Sequence, residues 1–197
     1  LPHLAGHYTF GHMRRQQKSF FKNQKLYSGG TLRKKRAGRG ARPISARESM
    51  HLILKSTRAQ GDWSFRAPKN RQRVLLLLHK FAARNAVKII SVANAGNHLH
   101  IHLRLTSRHL YRAFIRGVTS AIAMAITGAS RWKKMEGKFW DYRPFSRVVR
   151  GWKAFLALKD YLHVNQLENA GANRREARVL VAWRVTNGTF SAFEGTG

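Results

Sequence analysis

The run His98-Leu99-His100-Ile101-His102-Leu103-Arg104-Leu105 constrains the fold more than any other stretch. Polar and apolar side chains alternate without a break, and a period of two marks a strand with one covered face and one accessible face. Leu99, Ile101 and Leu103 fall on one side, where helices are expected to meet them, and His98, His100 and His102 on the other. Two imidazoles at i and i+2 on one strand point the same way and can share a cation. The same spacing also suits a polar strand face that touches only solvent or phosphate, so both readings stand on spacing alone.

The surrounding pattern supplies the rest of the fold. Met50, Leu52 and Leu54 alternate with His51, Ile53 and Lys55, as in a half-buried strand. Val74, Leu77, Leu78 and Phe81 recur at helical spacing after Pro68, and Asn85 suits that helix's end. Val87 to Ala93 reads as a strand, with Asn94-Ala95-Gly96-Asn97 as the turn into the histidine strand. A helix from about Arg108 to Thr127 carries Leu110, Ala113, Phe114, Val118, Ala121, Ile122 and Ala125 on one stripe and ends at Gly128. An extended piece is expected over 138–149, then a helix from Gly151 to about Leu167; beyond Gly171 the pattern is ambiguous. The order β-α-β-β-α-β-α predicts an α+β chain: a ferredoxin-like antiparallel sheet with helices on one face, the other face open, and an added C-terminal helix.

Charge narrows the partner. The 197 residues hold 38 Lys+Arg against 8 Asp+Glu, a formal net charge of +30. Such an excess repels itself unless an anion is near, and a polyphosphate that releases counterions answers that need, which makes nucleic acid the leading partner and an acidic membrane surface the weaker one. No apolar run approaches the ~20 residues needed to span a bilayer, and the absence of Cys removes disulfides and thiolate metal sites. The eight carboxylates are scattered, which argues against a nuclease with two carboxylate-held metals; imidazole should dominate any metal site.

Four segments are expected. Residues 1–12 read as a tag or cloning remnant ahead of Met13, 13–47 as a basic flexible arm, 48–172 as the functional domain and 173–197 as a tail. Within the arm, Arg33, Lys34, Lys35 and Arg36 are candidates to grip nucleic-acid phosphates without reading bases. Arg131, Lys133, Lys134, Arg143 and Arg147 interleave with Trp132, Trp140, Tyr142 and Phe145, a pattern that can hold a backbone and stack bases, or equally place the aromatics in the core under solvated cations.

On the last helix Trp152, Phe155, Leu156 and Leu162 cluster on one side, while Tyr161 and Asn165 lie one turn apart on roughly the opposite side. Taken together, Gly96-Asn97-His98-Leu99-His100 and Tyr161-Leu162-His163-Val164-Asn165 resemble the HUH motif and the tyrosine motif of single-tyrosine HUH transposases. They are most similar to the REP-associated tyrosine transposases, with Gln166 where that family usually has proline after the asparagine, and the likeness runs roughly from His51 to Gly171. The resemblance implies a metal-dependent single-stranded DNA endonuclease and strand transferase that forms a 5′-phosphotyrosine intermediate. It makes Tyr161 the nucleophile and assigns His98 and His100, with Asn165 or its neighbour, to a divalent metal, Mg2+ or Mn2+. It further implies single-stranded or hairpin DNA as partner, a cytoplasmic, nucleoid-associated location and no membrane, and leaves open a homodimer in which Tyr161 acts in its own subunit or its partner's. His102 has no counterpart in the two-histidine motif, and His51 is expected near the site without ligating. The competing class is a non-catalytic basic RNA- or DNA-binding protein on the same fold.

Overall fold

A computed structural model describes residues 26–30 and 42–186. Five strands, β1 (Tyr27–Ser28), β2 (Ser49–Lys55), β3 (Val87–Asn94), β4 (His98–Leu105) and β5 (Phe145–Val149), accompany four helices, α1 (Pro68–Arg84), α2 (Leu110–Thr127), α3 (Gly151–Asn169) and α4 (Arg174–Thr186). The sheet order is β1-β5-β2-β4-β3, with every pair antiparallel. The four longer strands with α1 and α2 have the expected ferredoxin-like connectivity.

Alternation divides the sheet's two faces. Met50, Leu52 and Leu54 from β2 and Leu99, Ile101, Leu103 and Leu105 from β4 are buried in one core with Val74 and Leu78 of α1 and Phe114, Val118 and Ile122 of α2. The two helices approach closely at Gly117, where a Cβ would sit 2.5 Å from the Phe81 ring. Asn85 closes α1 through its side-chain amide, which donates to the Phe81 carbonyl at 2.8 Å, and Gly128 closes α2 at φ 69°. The buried line of α2 is Tyr111, Phe114, Val118, Ile122 and Ile126, rotated from the expected stripe so that Ala113 faces outward.

The opposite face is partly covered. Gly151 has φ +74°, a conformation most side chains resist, and there the chain turns from β5 straight into α3 and back across the sheet. Leu158 and Leu162 of α3 pack on Ala93 and Val149. Further along, Val164 meets Ala177 and Val181 of α4, a helix in the stretch whose pattern was ambiguous. The single apolar side expected for α3 is corrected here: Trp152 is 70 % exposed and Leu156 36 %, while Leu158, Leu162 and Val164 are buried. The extended piece is also shorter than expected, since only Phe145–Val149 forms strand and 138–144 bends.

Within the stretch read as an arm, β1 pairs with β5. Arg42 also binds the Pro144 carbonyl at 2.8 Å and the Ser146 hydroxyl at 2.7 Å through Nη1. Residues 1–12 and the cluster Arg33, Lys34, Lys35 and Arg36 lie outside the described residues. No helix among the described residues is long and apolar enough to cross a membrane.

Candidate active site

Because β2 and β4 pair with His51 opposite His102, Ile53 opposite His100 and Lys55 opposite His98, all four histidines share the face beneath α3. The rings of His98 and His100 have centroids 4.8 Å apart and meet edge to face. His51 reaches diagonally across the strand pair, placing its Nε2 3.1 Å from His100 Nδ1. Asn97 Oδ1 lies 2.6 Å from His98 Nδ1. An amide oxygen only accepts, so His98 carries its proton on Nδ1 and keeps a lone pair on Nε2. If His51 Nε2 is the acceptor in its contact with His100 Nδ1, His100 has the same tautomer.

Burial sets the charge of these rings. It lowers the His51 pKa to about 3, helped by the nearby His100, His102 and Arg147, and the His100 pKa to about 4, helped by His98. His98 is lowered too, by burial and then by Lys55. Neutral imidazoles with Nδ1 engaged and Nε2 available are the donor state a divalent cation needs. Among the described residues no three His, Cys, Asp or Glu side chains converge on one point, so two imidazoles would have to be supplemented by amide, phosphate or water oxygens.

Tyr161 stands over this group. Its ring centroid is 5.5 Å from that of His100 and 6.3 Å from that of His51, both edge-on, and the residue is 40 % exposed. Three features hold α3 there: the buried Leu158 and Leu162, the Gln166 side-chain amide donating to the Val92 carbonyl at 2.7 Å, and Arg66 bonding to the Asn169 carbonyl. Gln166 thus ties the helix to β3. Asn165 turns its amide nitrogen to the Tyr161 carbonyl at 3.0 Å, leaving Oδ1 as its remaining acceptor. A cleft of about 330 Å3 opens beside Tyr161, lined by His51, Arg147, Val149, Ala154 and Leu158.

His98, His100 and Tyr161 are therefore linked through ring contacts at His100, while Arg147, directly opposite His51 on β5, lines the cleft with His51 and Tyr161. Arg131, Lys133 and Lys134 lie in the irregular segment after α2, exposed and away from strands, and Arg143 is exposed just before β5. The interleaved aromatics divide: Trp140 packs against Phe65 and Phe139 and donates Nε1 to the Thr119 carbonyl, whereas Trp132 is 88 % exposed beneath the Arg131 guanidinium. His102 is wholly buried, bonded to the Ser49 hydroxyl at 2.8 Å and packed on Phe155, so it belongs to the strand's packing. The contact missed from sequence is His51 with His100; its signal was the alternation that put His51 on the histidine face.

No protein-family model and no curated protein matches this sequence. Among solved structures, a REP-associated tyrosine transposase bound to a REP hairpin superposes with a TM-score of 0.56 at 13% identity, covering 81% of this chain and 93% of that one. A structure from Deinococcus radiodurans, described as a candidate transposase, gives a TM-score of 0.40 at 18% identity over 66% of this chain and 97% of that one. The chain shares its fold with a REP-associated tyrosine transposase.

Proposed function

We propose that this protein breaks and rejoins single-stranded DNA through Tyr161. The observation that carries the reading is the Tyr161 ring over His100 and His51, with His98 alongside, on the sheet face that a fold-sharing tyrosine transposase also possesses. The charge of +30 suits a polyanionic substrate, and the hairpin bound by that neighbour suggests hairpin-flanked strands as the form to try first.

Nε2 of His98 and His100, with Asn165 Oδ1, would hold a divalent cation, Mg2+ or Mn2+. Bound there, the cation supplies Lewis-acid polarisation of a scissile phosphate oxygen. His51 and Asn97 fix the tautomers and orientations of the two imidazoles. Arg147, exposed at the cleft, can neutralise a flanking phosphate. Tyr161 Oη attacks phosphorus, the bond to the 3′ oxygen breaks, and the phenolic proton ends, in net terms, on the departing 3′ hydroxyl. The 5′ phosphate stays on Tyr161 as a diester, so a second 3′ hydroxyl can reverse the step without ATP. Strand transfer follows from that conservation of bond type.

Incubation of labelled single-stranded or hairpin DNA with the protein and Mn2+ should yield a denaturation-resistant protein–DNA band. Chelator and Tyr161→Phe should each abolish it. Metal-independent binding with no adduct on any such substrate would overturn the reading in favour of a non-catalytic binder.

A further inference from the structure

A second groove, of about 500 Å3, lies on the histidine face at the start of α3, lined by Trp152, Phe155, Lys88, Arg104, Ser49 and Glu48. It shares Val149 as a wall with the cleft beside Tyr161. Three observations give it a character of its own. Lys88 and Arg104 are direct register partners on β3 and β4, and like charges placed opposite one another repel unless an anion sits between them. Neither is paired with a carboxylate among the described residues.

Trp152 is 70 % exposed yet fixed, because its ring stacks on Phe155 at 5.3 Å and 9°. Phe155 in turn rests on His102, whose Nε2 bonds to the Ser49 hydroxyl. A large aromatic held flat with one face open is what a base needs to stack on. Glu48 in the same groove would repel a phosphate but accept an amino hydrogen from a base edge, which favours a whole nucleotide over a free anion.

We propose that this groove is a nucleotide subsite: an unpaired base stacks on Trp152 while Lys88 and Arg104 hold the adjoining backbone. The proposal rests on the strand-transfer reading for the choice of DNA as the nucleic acid and for the place of the subsite relative to the cleavage point. Trp152 and Tyr161 are nine positions apart on α3, about 13.5 Å along the helix axis and on opposite sides of it. Because the strand must also pass around the helix, the stacked base lies at least about two to four nucleotides from the reacting phosphate, for a strand drawn out to twice the stacked spacing or stacked at roughly 3.4 Å per nucleotide. The site would grip the strand flanking the cleavage point and keep it in place while ends exchange.

The test measures binding of a fluorescein-labelled 25-mer of mixed-sequence single-stranded DNA, and of the matching blunt duplex, by anisotropy with chelator present. Trp152→Ala should weaken single-strand binding about tenfold and leave duplex binding within about twofold. Trp152→Phe should recover most of the loss, and Lys88→Ala and Arg104→Ala should each lower the salt slope by about one. Thermal melting of Trp152→Ala should match wild type, since the ring is exposed. Unchanged single-strand affinity in Trp152→Ala, or equal loss for single strand and duplex, overturns the subsite. If wild type forms no tyrosyl adduct yet Trp152→Ala still loses single-strand affinity selectively, the subsite stands and strand transfer falls. If adducts form normally while Trp152→Ala binds and reacts as wild type, the subsite alone falls.

Discussion

His51 Nε2 lies 3.1 Å from His100 Nδ1, although the two residues face different partners in the strand register. The contact spans a diagonal of the β2–β4 ladder and leaves the far nitrogen of His100 directed away from His51. In the proposed site, His51 is thus a positioning residue that sets which nitrogen of His100 bears a lone pair.

His51→Ala should lower adduct formation and Mn2+ affinity by about 10- to 100-fold, the usual cost of losing a partner that orients a metal-binding histidine. His51→Gln should recover part of both, because its amide oxygen can accept from His100 Nδ1. Metal titration and single-turnover adduct kinetics check this together. Wild-type values in His51→Ala would show that the contact is incidental.

Leu162 is fully buried between α3 and the sheet, so Leu162→Ala should destabilise the fold by about 2–5 kcal/mol in urea unfolding. Tyr161→Phe removes only a hydroxyl from a residue that is 40 % exposed and should leave stability within about 0.5 kcal/mol. A Tyr161→Phe protein as unstable as Leu162→Ala would make Tyr161 a packing residue.

Gln166→Ala removes the side-chain bond from α3 to the Val92 carbonyl. Unfolding free energy should fall by only about 1 kcal/mol. Adduct formation should fall further, by about tenfold or more, since small displacements of a reacting group are costly. Equal proportional effects on stability and rate would deny the bond a role in placing the nucleophile.

Stability should depend on pH through the buried histidines. The pKa of His51 is held at about 3 and that of His100 at about 4, below the ordinary 6.5, by burial first and by neighbouring charge second. Between those values and 6.5 the unfolded chain binds more protons than the folded one. Stability is therefore full above pH 6.5 and declines as pH falls from 6.5 toward 4, by on the order of 1 kcal/mol per pH unit. Urea unfolding with chelator present measures it, and the His51→Gln/His100→Gln double variant should lessen the slope, with His102, held by burial at about 4, supplying what remains. An equally steep decline in that variant would assign the effect elsewhere.

What could be read in the sequence was local and periodic. Strict alternation gave β4 its bounds at His98 and Leu105, and Gly128 marked the end of α2. The stripe of α3 escaped because that helix has two partners. Ala154, Phe155, Leu158 and Leu162 serve the sheet, while Val164 and Leu167 serve α4, so no one side is apolar throughout. The His51–His100 contact joins residues 49 apart and becomes visible only once the β2–β4 register is known. The roles of Trp132 and Trp140 could not be separated by composition: burial in the Phe65 cluster, a tertiary property, takes one and leaves the other exposed.

The central claim is that the Tyr161 phenol is the atom that captures DNA. Trapping the adduct on single-stranded DNA with Mn2+, digesting it, and locating the nucleotide-bearing residue by mass spectrometry tests that claim most directly. The expected result is a 5′-phosphate linked to the peptide containing Tyr161, with a free 3′ hydroxyl on the other fragment. A nucleotide on any other residue, or cleavage that persists in Tyr161→Phe, would contradict it.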